Sequence, residues 1–380
     1  MTPAIAHRID ELLEISPYGL SPADKESVLL PLLRDAVEDA CLRNSKYRNY
    51  VRCWPVPPNE AKRLADLPYL PVALLKSDPP FTLVGAGEIK KILTSSSTTG
   101  QMPSRIALDS ATARRMSKGV ATIARDFLGS SRRPYLVVDV APSGVQRAEM
   151  GARGAAVQGL MPFASETTYC LKVSDSGDLS LDCDRLLSFA KAHAGAPVLV
   201  YGFTYMLWQY LIRPLTAESV CLKMPNVHIL HSGGWKRLED QSVAKPDFNR
   251  ALAAVFGCSP EHVVDFYGMV ENVGVIYPDC AQGNKHAPAF ADVIVRDPLT
   301  LEPVAPGRQG LVQVCSALPS SFPGHLLLTE DMAEIVSYDG CRCGRRGTSF
   351  RFAGRVPRSE LRGCGNIQRK REATAYSALA

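Results

Sequence analysis

At 380 residues, with 46% apolar and 21% charged side chains, the chain can bury one large core or two modest ones and has an ordinary globular composition. Its net charge of +5 is too weak to demand nucleic acid. Ten Lys/Arg against two Glu do gather between Cys341 and Glu372, but without an interleaved aromatic platform they read as a solvated face that helps attract an anionic ligand.

The opening segment, Met1 to Glu14, is polar and amphipathic rather than an export signal. Eleven cysteines in such a chain imply a reducing, cytoplasmic compartment and mostly free thiols. An odd count cannot pair completely, so a special cysteine should be a ligand or a nucleophile. Residues 1–60 read as helical: Ser21-Pro22 is an N-cap and first-turn pair, followed by Val28, Leu29, Leu32, Leu33, Val37 and Ala40 at helical spacing. Pro55 to Pro80 is proline-rich, and Pro68 to Val72 suggests an extended crossing segment.

Ile89 to Leu93 reads as a short buried strand and Asp109 to Gly129 as a helix. Between them Thr94, Ser95, Ser96, Ser97, Thr98 and Thr99 give six consecutive hydroxyls, followed by Gly100 and, further on, Arg105. Hydroxyls, backbone N–H groups and a fixed cation on a turn make a cradle for a polyanion, most commonly a nucleotide's phosphates. A solvated Ser/Thr loop is the plainer alternative. The G-x-x-x-x-G-K-[ST] spacing of a Walker loop is absent.

Strands and helices then alternate. Strands are expected over Tyr135–Asp139, Pro197–Tyr201, Val227–His231 and His262–Tyr267, and helices over Leu181–His193, Phe203–Arg213 and Pro246–Phe256. This is an α/β pattern, with ligands expected at strand ends. The most apolar run, Pro197 to Pro214, is interrupted by Gly202, Thr204 and Gln209 and is short for a membrane span. After Asp292, short strands (Asp292–Arg296, Gly310–Ala317, Ala333–Ser337) broken by Pro and Gly suggest a smaller β-rich lobe.

Gly233 and Gly234 follow one strand, in His231-Ser232-Gly233-Gly234-Trp235-Lys236, where paired glycines allow close approach of backbone to a ligand or form a plain turn. Cys280 and His286 lie six residues apart, and Cys341 and Cys343 two apart. Three thiols and an imidazole suit tetrahedral structural zinc, against four unconnected loop residues. Cys364, in Arg362-Gly363-Cys364-Gly365, has flanking cations that favour the nucleophilic thiolate and glycines that let the segment swing. An ordinary surface cysteine is the alternative. No G-x-S-x-G elbow, H-E-x-x-H helix or G-x-G-x-x-G turn is present.

The order of these pieces resembles the adenylate-forming superfamily. Thr94 to Arg105 resembles its phosphate loop, with Ser97 where many members have glycine and Arg105 at or next to the usual lysine. Phe266-Tyr267-Gly268-Met269-Val270-Glu271 resembles its Tyr-Gly-x-Thr-Glu motif, with Val270 in place of threonine. Leu328-Thr329-Glu330-Asp331 resembles its Thr-Gly-Asp, and Gly354-Arg355 its hinge motif. The resemblance implies that Tyr267 stacks on adenine, Glu271 binds Mg²⁺, Asp331 binds the ribose hydroxyls and Arg355 lies near ribose and phosphates.

His231 to Lys236 and Gly354 to Cys364 resemble the LuxE-type acyl-protein synthetases, a likeness that covers about Pro68 to Cys364. It implies ATP-dependent activation of a carboxylic, fatty acid as acyl-AMP, transfer to Cys364 as a thioester, and delivery to a partner such as an acyl reductase. It implies a helical segment over 1–60, an adenylate-forming domain over 61–355 with its β-rich lobe at about 290–350, and a short tail over 356–380. The roughly hundred-residue C-terminal subdomain of typical adenylating ligases, with its lysine, is missing from this pattern. Phenylacetate-CoA ligase-like proteins carry a similar His/Cys arrangement. Two other readings stay open: a ligase that donates the acyl group to CoA or a carrier protein, and a zinc-stabilised scaffold subunit without catalysis.

Overall fold

The first three helices of this chain begin where short polar side chains cap them. In the computed structural model, which describes residues 2–77, 79–95, 102–142, 149–174 and 177–356, three helices come first: α1 (Pro3–Leu12), α2 (Pro22–Arg43) and α3 (Ser45–Arg52). Ser21 Oγ accepts the Asp24 N–H at the head of α2, satisfying one of the donors a helix start leaves unpaired. Val28, on the expected apolar face, is in fact exposed, whereas Leu29, Leu32, Leu33 and Val37 are buried.

The Ser/Thr-rich stretch lies in sequence between two strands that pair with each other. β2 (Lys91–Thr94) precedes it and β3 (Arg105–Leu108) pairs back antiparallel, with Thr94 opposite Arg105. The expectation of strand, loop and then helix therefore lacked β3, whose apolar run is only three residues long. Those three, Ile106, Ala107 and Leu108, are fully buried. Helix α4 (Ser110–Leu128) follows, capped by the Asp109 carboxylate and ended by Gly129 at φ +73.

One sheet runs in the order β12-β11-β10-β9-β4-β6. Its strands are β4 (Arg133–Val138), β6 (Ala164–Tyr169), β9 (Val198–Phe203), β10 (Val227–Ser232), β11 (Val263–Gly268) and β12 (Ile276–Pro278), of which only β12 is antiparallel. Leu136, Val138, Val200 and Ile229 fill the core on one face, and Tyr135, Val137, Leu199, Tyr201 and Leu230 that on the other. Burial on both faces explains why these strands read as unbroken apolar runs. From β4 the order proceeds one way to β6 and the other way to β9, so the crevice between β4 and β9 is the sheet's switch point, where such sheets bind ligands. The helical run after β9 is α-helical at Thr204–Met206 and Arg213–Ala217 but π-helical at Leu207–Ile212, extending beyond the expected end at Arg213.

β5 (Glu149–Gly151) pairs in parallel with β2, Gly151 opposite Thr94, and leads into α5 (Ala152–Leu160). A small hairpin, β7 (Leu171–Val173) and β8 (Leu179–Leu181), precedes α6 (Cys183–Ala192).

A second sheet runs β13-β17-β16-β15-β14. Its strands are β13 (Lys285–His286), β14 (Ala291–Arg296), β15 (Gln309–Ser316), β16 (Leu326–Tyr338) and β17 (Thr348–Arg355). The expected strand Ala333–Ser337 is only the end of the 13-residue β16. Against β16 also lies the two-residue β1 (Leu70–Pro71), Leu70 in register with Leu327. Phe350, Val293 and Val312 share one buried core with Ile9, Leu29 and Leu33 of the N-terminal helices.

Candidate functional site

The motif residues converge through strand register. Asp331 lies in β16 directly opposite Arg355 in β17, beside an irregularity at Met332/Ala333. A bulge of that kind re-aims side chains. The Arg355 Nε donates to Asp331 Oδ1 at 3.2 Å and the Tyr267 hydroxyl donates to Asp331 Oδ2 at 2.8 Å. Burial raises the Asp331 carboxyl above its ordinary value, opposed by the Tyr267 hydrogen bond and the Arg355 charge. Burial also holds Tyr267 protonated, with the Asp331 charge adding to the effect. Arg355 is largely exposed at the rim.

Around Tyr267 the rings are already stacked. Phe352 lies 5.0 Å away at 24° and Tyr277 5.8 Å away at 23°. Phe352, 40% exposed, presents aromatic surface to solvent at this position. It was not singled out from the sequence; its place two residues after Phe350, on the same face of a strand, was the available signal. Gly268 ends β11, and Glu271 follows as a buried carboxylate, the donor type that Mg²⁺ takes. The loop carrying it packs on α4 so closely that a Cβ on Gly119 would meet the Gly274 carbonyl oxygen at 2.6 Å. That contact seats the Glu271 segment against the helix leaving the β2–β3 hairpin.

At the hairpin, Ser95 N–H donates to the Ser104 carbonyl at 3.1 Å and Ser104 N–H donates to Ser95 Oγ at 2.8 Å. Thr94 and Arg105 hold the mouth of the loop. Ser96, Ser97, Thr98, Thr99, Gly100 and Cys364 lie outside the described residues.

Gly233 leaves β10 at φ +78, and a Cβ there would come within 2.7 Å of the Phe203 ring. Both the conformation and the close approach require glycine. Gly234 has open space where a Cβ would stand. Just before them His231 is buried, its Nδ1 3.0 Å from Thr204 Oγ1, and burial lowers its pKa to about 4. Met206 and Tyr201 are core residues. Trp208 is half-buried against Trp235 and Phe248.

A group absent from the sequence expectations sits at the switch point. Asp139, one residue past β4, accepts a hydrogen bond from Arg153 Nη2 at 2.7 Å, and Arg153 is also hydrogen-bonded by Tyr205. Burial raises the Asp139 carboxyl, countered by the Arg153 charge. An acid immediately after an apolar strand was the signal for it.

The Cys/His set assembles on the second sheet. Cys280 follows β12, His286 ends β13, and Cys341 and Cys343 lie between β16 and β17; their four ligand atoms all fall within 4.8 Å of one another. Cys280 Sγ is 3.8 Å from Cys341 Sγ, and Cys343 Sγ is 3.3 Å from His286 Nε2. Burial pushes the Cys280 thiol up to about 11 and, aided by the Arg345 and Lys25 charges, lowers His286 to about 4. An imidazole kept neutral and three sulfurs at this separation fit a tetrahedral cation. Asn284 Nδ2 lies 3.4 Å from Cys341 Sγ as an outer-shell donor. Beside the cluster, Lys285 bridges Asp265 at 2.9 Å and Asp279 at 3.1 Å, fastening the cluster's strands to β11.

The profile of the acyl-protein synthetase family LuxE matches residues 3–371. The chain belongs to that family. Two long-chain-fatty-acid–luciferin-component ligases are similar to this LuxE-family chain. The one from Aliivibrio fischeri is 26% identical, over 86% of this chain and 84% of the relative; that from Vibrio harveyi is 24% identical, over 95% and 93%. Among solved structures, an open conformation of 2-hydroxyisobutyryl-CoA ligase in complex with 2-HIB-AMP and CoA aligns with a TM-score of 0.69 and 19% identity. It covers 92% of this chain and 79% of that one. The same ligase in its thioesterification state gives a TM-score of 0.70 at 18% identity, over 90% and 70%. The α/β fold is thus the adenylate-forming one that the motif order implied, and family membership makes the chain an acyl-protein synthetase, a ligase. Among the described residues no helix is long and apolar enough to cross a membrane.

Proposed function

We propose that the protein activates a long-chain fatty acid as its acyl-AMP and then carries the acyl group on Cys364 as a thioester. Membership of the LuxE family over residues 3–371 carries this reading, and the Tyr267–Asp331–Arg355 contact supports it at the site. The fatty acid's carboxylate oxygen attacks the α-phosphorus of ATP. The bond from that phosphorus to its bridging oxygen breaks, and pyrophosphate leaves with the electron pair. Thr94, Ser95, Ser96, Ser97, Thr98, Thr99, Gly100 and Arg105 hold the phosphates, Gly233 and Gly234 let backbone approach the nucleotide, and Asp331 and Arg355 hold the ribose. Phe352 shares with Tyr267 the aromatic surface beside the base. Glu271 would hold Mg²⁺, which when bound offsets charge on the departing pyrophosphate. Positioning and electrostatics carry this step.

In the second step the Cys364 thiolate, its proton already lost to solvent, attacks the acyl carbon and AMP is expelled. The thioester then passes to a partner, an acyl reductase in this reading. Cys280, His286, Cys341 and Cys343 would hold a structural zinc, which would brace the strands that carry them.

The test is fatty-acid-dependent exchange of labelled pyrophosphate into ATP, followed by retention of labelled acyl groups on denatured protein. Exchange without protein labelling, with turnover only when CoA is added, would replace self-acylation by ligation to CoA. Absence of both would leave a scaffold.

A further inference from the structure

We infer that Arg153 receives the carboxylate of the acid substrate, an inference that rests on the adenylation reading above. Two anions, a carboxylate and a triphosphate, must be brought into contact for acyl-AMP to form, so a fixed cation between their sites is what electrostatics requires. Arg153 stands between those sites. Two residues before it, Gly151 pairs with Thr94 at the mouth of the phosphate loop, which places the first turn of α5 beside the phosphates. Its guanidinium reaches from there to the switch-point crevice, where Asp139 closes β4 and Tyr205 follows β9.

The group is built rather than incidental. Asp139 is nearly buried, takes the Val140 N–H at 2.8 Å as well as the Arg153 donor, and so is fixed in direction. Tyr205 holds the guanidinium from the neighbouring strand's end. Held by both, Arg153 remains 39% exposed, and a planar guanidinium has five donors, more than these two partners use. Bidentate capture of a carboxylate is what a pre-oriented, part-exposed arginine does best. Bound this way, the acid keeps its proton-free oxygen toward the α-phosphorus, and its alkyl chain is directed away from the phosphate loop. Arg153 accepts and donates no proton in the step; it fixes the nucleophile.

Arg153→Gln and Arg153→Lys test the inference in the full-length protein. In pyrophosphate exchange, Arg153→Gln should raise the KM for a long-chain fatty acid about ten- to a hundredfold, the range for a lost charge-assisted hydrogen bond. The KM for ATP should move less than about twofold by the same reasoning. Arg153→Lys keeps the charge and the packing and should lie between wild type and Arg153→Gln. Direct binding gives the second readout: Arg153→Gln should weaken binding of the fatty acid but leave the fatty alcohol of equal length unaffected. Equal losses for acid and alcohol, or for acid and ATP, would make Arg153 a tether of α5 and overturn the inference. An unchanged acid KM in Arg153→Gln would overturn it while leaving adenylation intact. Wild-type exchange that needs no fatty acid would remove the adenylation reading and this inference together.

Discussion

The Cys/His cluster and the strand-end site both draw on segments far apart in sequence, but they are held in opposite ways. Cys280, His286, Cys341 and Cys343 already stand within 4.8 Å of one another on a sheet with paired strands, and Asn284 and the Lys285 ion pairs brace them. At the strand ends Tyr267, Asp331 and Arg355 touch one another. Thr94 and Arg105 stand on their own hairpin, Gly233 and Gly234 on a turn after β10, and Asp139 with Arg153 at the switch point. In the proposed reading, a cluster that would hold only a cation closes on itself, and a site that would admit substrates leaves the gap they fill. Damage to the first should therefore fall on stability, and damage to the second on turnover.

The sharpest break comes at the acceptor. Cys364→Ser should still exchange pyrophosphate, because adenylation needs no thiol, yet retain no labelled acyl group through denaturation, since serine's hydroxyl is far less ionised. Wild-type label should be released by neutral hydroxylamine. A Cys364→Ser protein that still carries hydroxylamine-labile label would move the acceptor to another thiol. Next, Glu271→Gln should slow exchange about a hundredfold by weakening the metal's hold on the leaving group, with melting temperature unchanged. Exchange at the wild-type rate would remove Glu271 from the site.

Asp331→Ala should raise the KM for ATP about tenfold, the scale of one hydrogen bond to a charged group. Wild-type ATP kinetics would refute its ribose role. Cys343→Ser tests the other half of the comparison. Bound zinc, expected at about one per chain, should fall well below that, and the melting temperature should drop by several degrees. Exchange per folded molecule should change less than about threefold, because this cluster does not touch the reacting atoms. Metal analysis that finds no zinc in wild-type protein prepared without chelator would end the zinc assignment. A Cys343→Ser protein as stable as wild type but inactive would invert the comparison.

The smallest effect concerns acid. Burial lowers His231 and His325 to about 4 from an ordinary 6.5. The unfolded chain therefore binds protons that the folded chain refuses between those values, and stability falls as pH drops from 6.5 toward 4. Each contributes a slope of at most about 1.4 kcal/mol per pH unit. Replacing His231 by Asn should flatten one share of that decline in a denaturation series; an unchanged slope would show that it titrates normally in the folded protein.

What could be read from the chain beforehand follows from where the information sits. β4, β9, β10 and β11 announce themselves because burial on both faces makes each a continuous apolar run. The Cys/His set could be named from residue type alone, since soft donors in matched pairs have few other uses. β3 escaped notice because three apolar residues fit a strand or a helix start equally well. The reach of β16 was hidden by Thr329, Glu330 and Asp331, three consecutive polar residues that interrupt its apolar run. Arg153 could not be singled out from spacing, since what distinguishes it is its Asp139 partner on another element, and Phe352 offered only its place two residues after Phe350.

The parallel pairing of Leu70-Pro71 with Leu327-Leu328 also constrains how the protein is made. Lys25 donates to the Ala287 carbonyl at 2.8 Å, and the core that α1 and α2 share with Leu64, Ile106 and Ile123 also takes in strands that begin after residue 290. Such pairings carry a high loop-closure cost and form late. On the ribosome, the core that the first helices enter is therefore completed only when β14, which begins at Ala291, has been made. At about 5–20 residues per second that is a delay of tens of seconds. Throughout it part of that core stays open to water, and a transcript cut short before β14 yields a product whose first core lacks the second sheet.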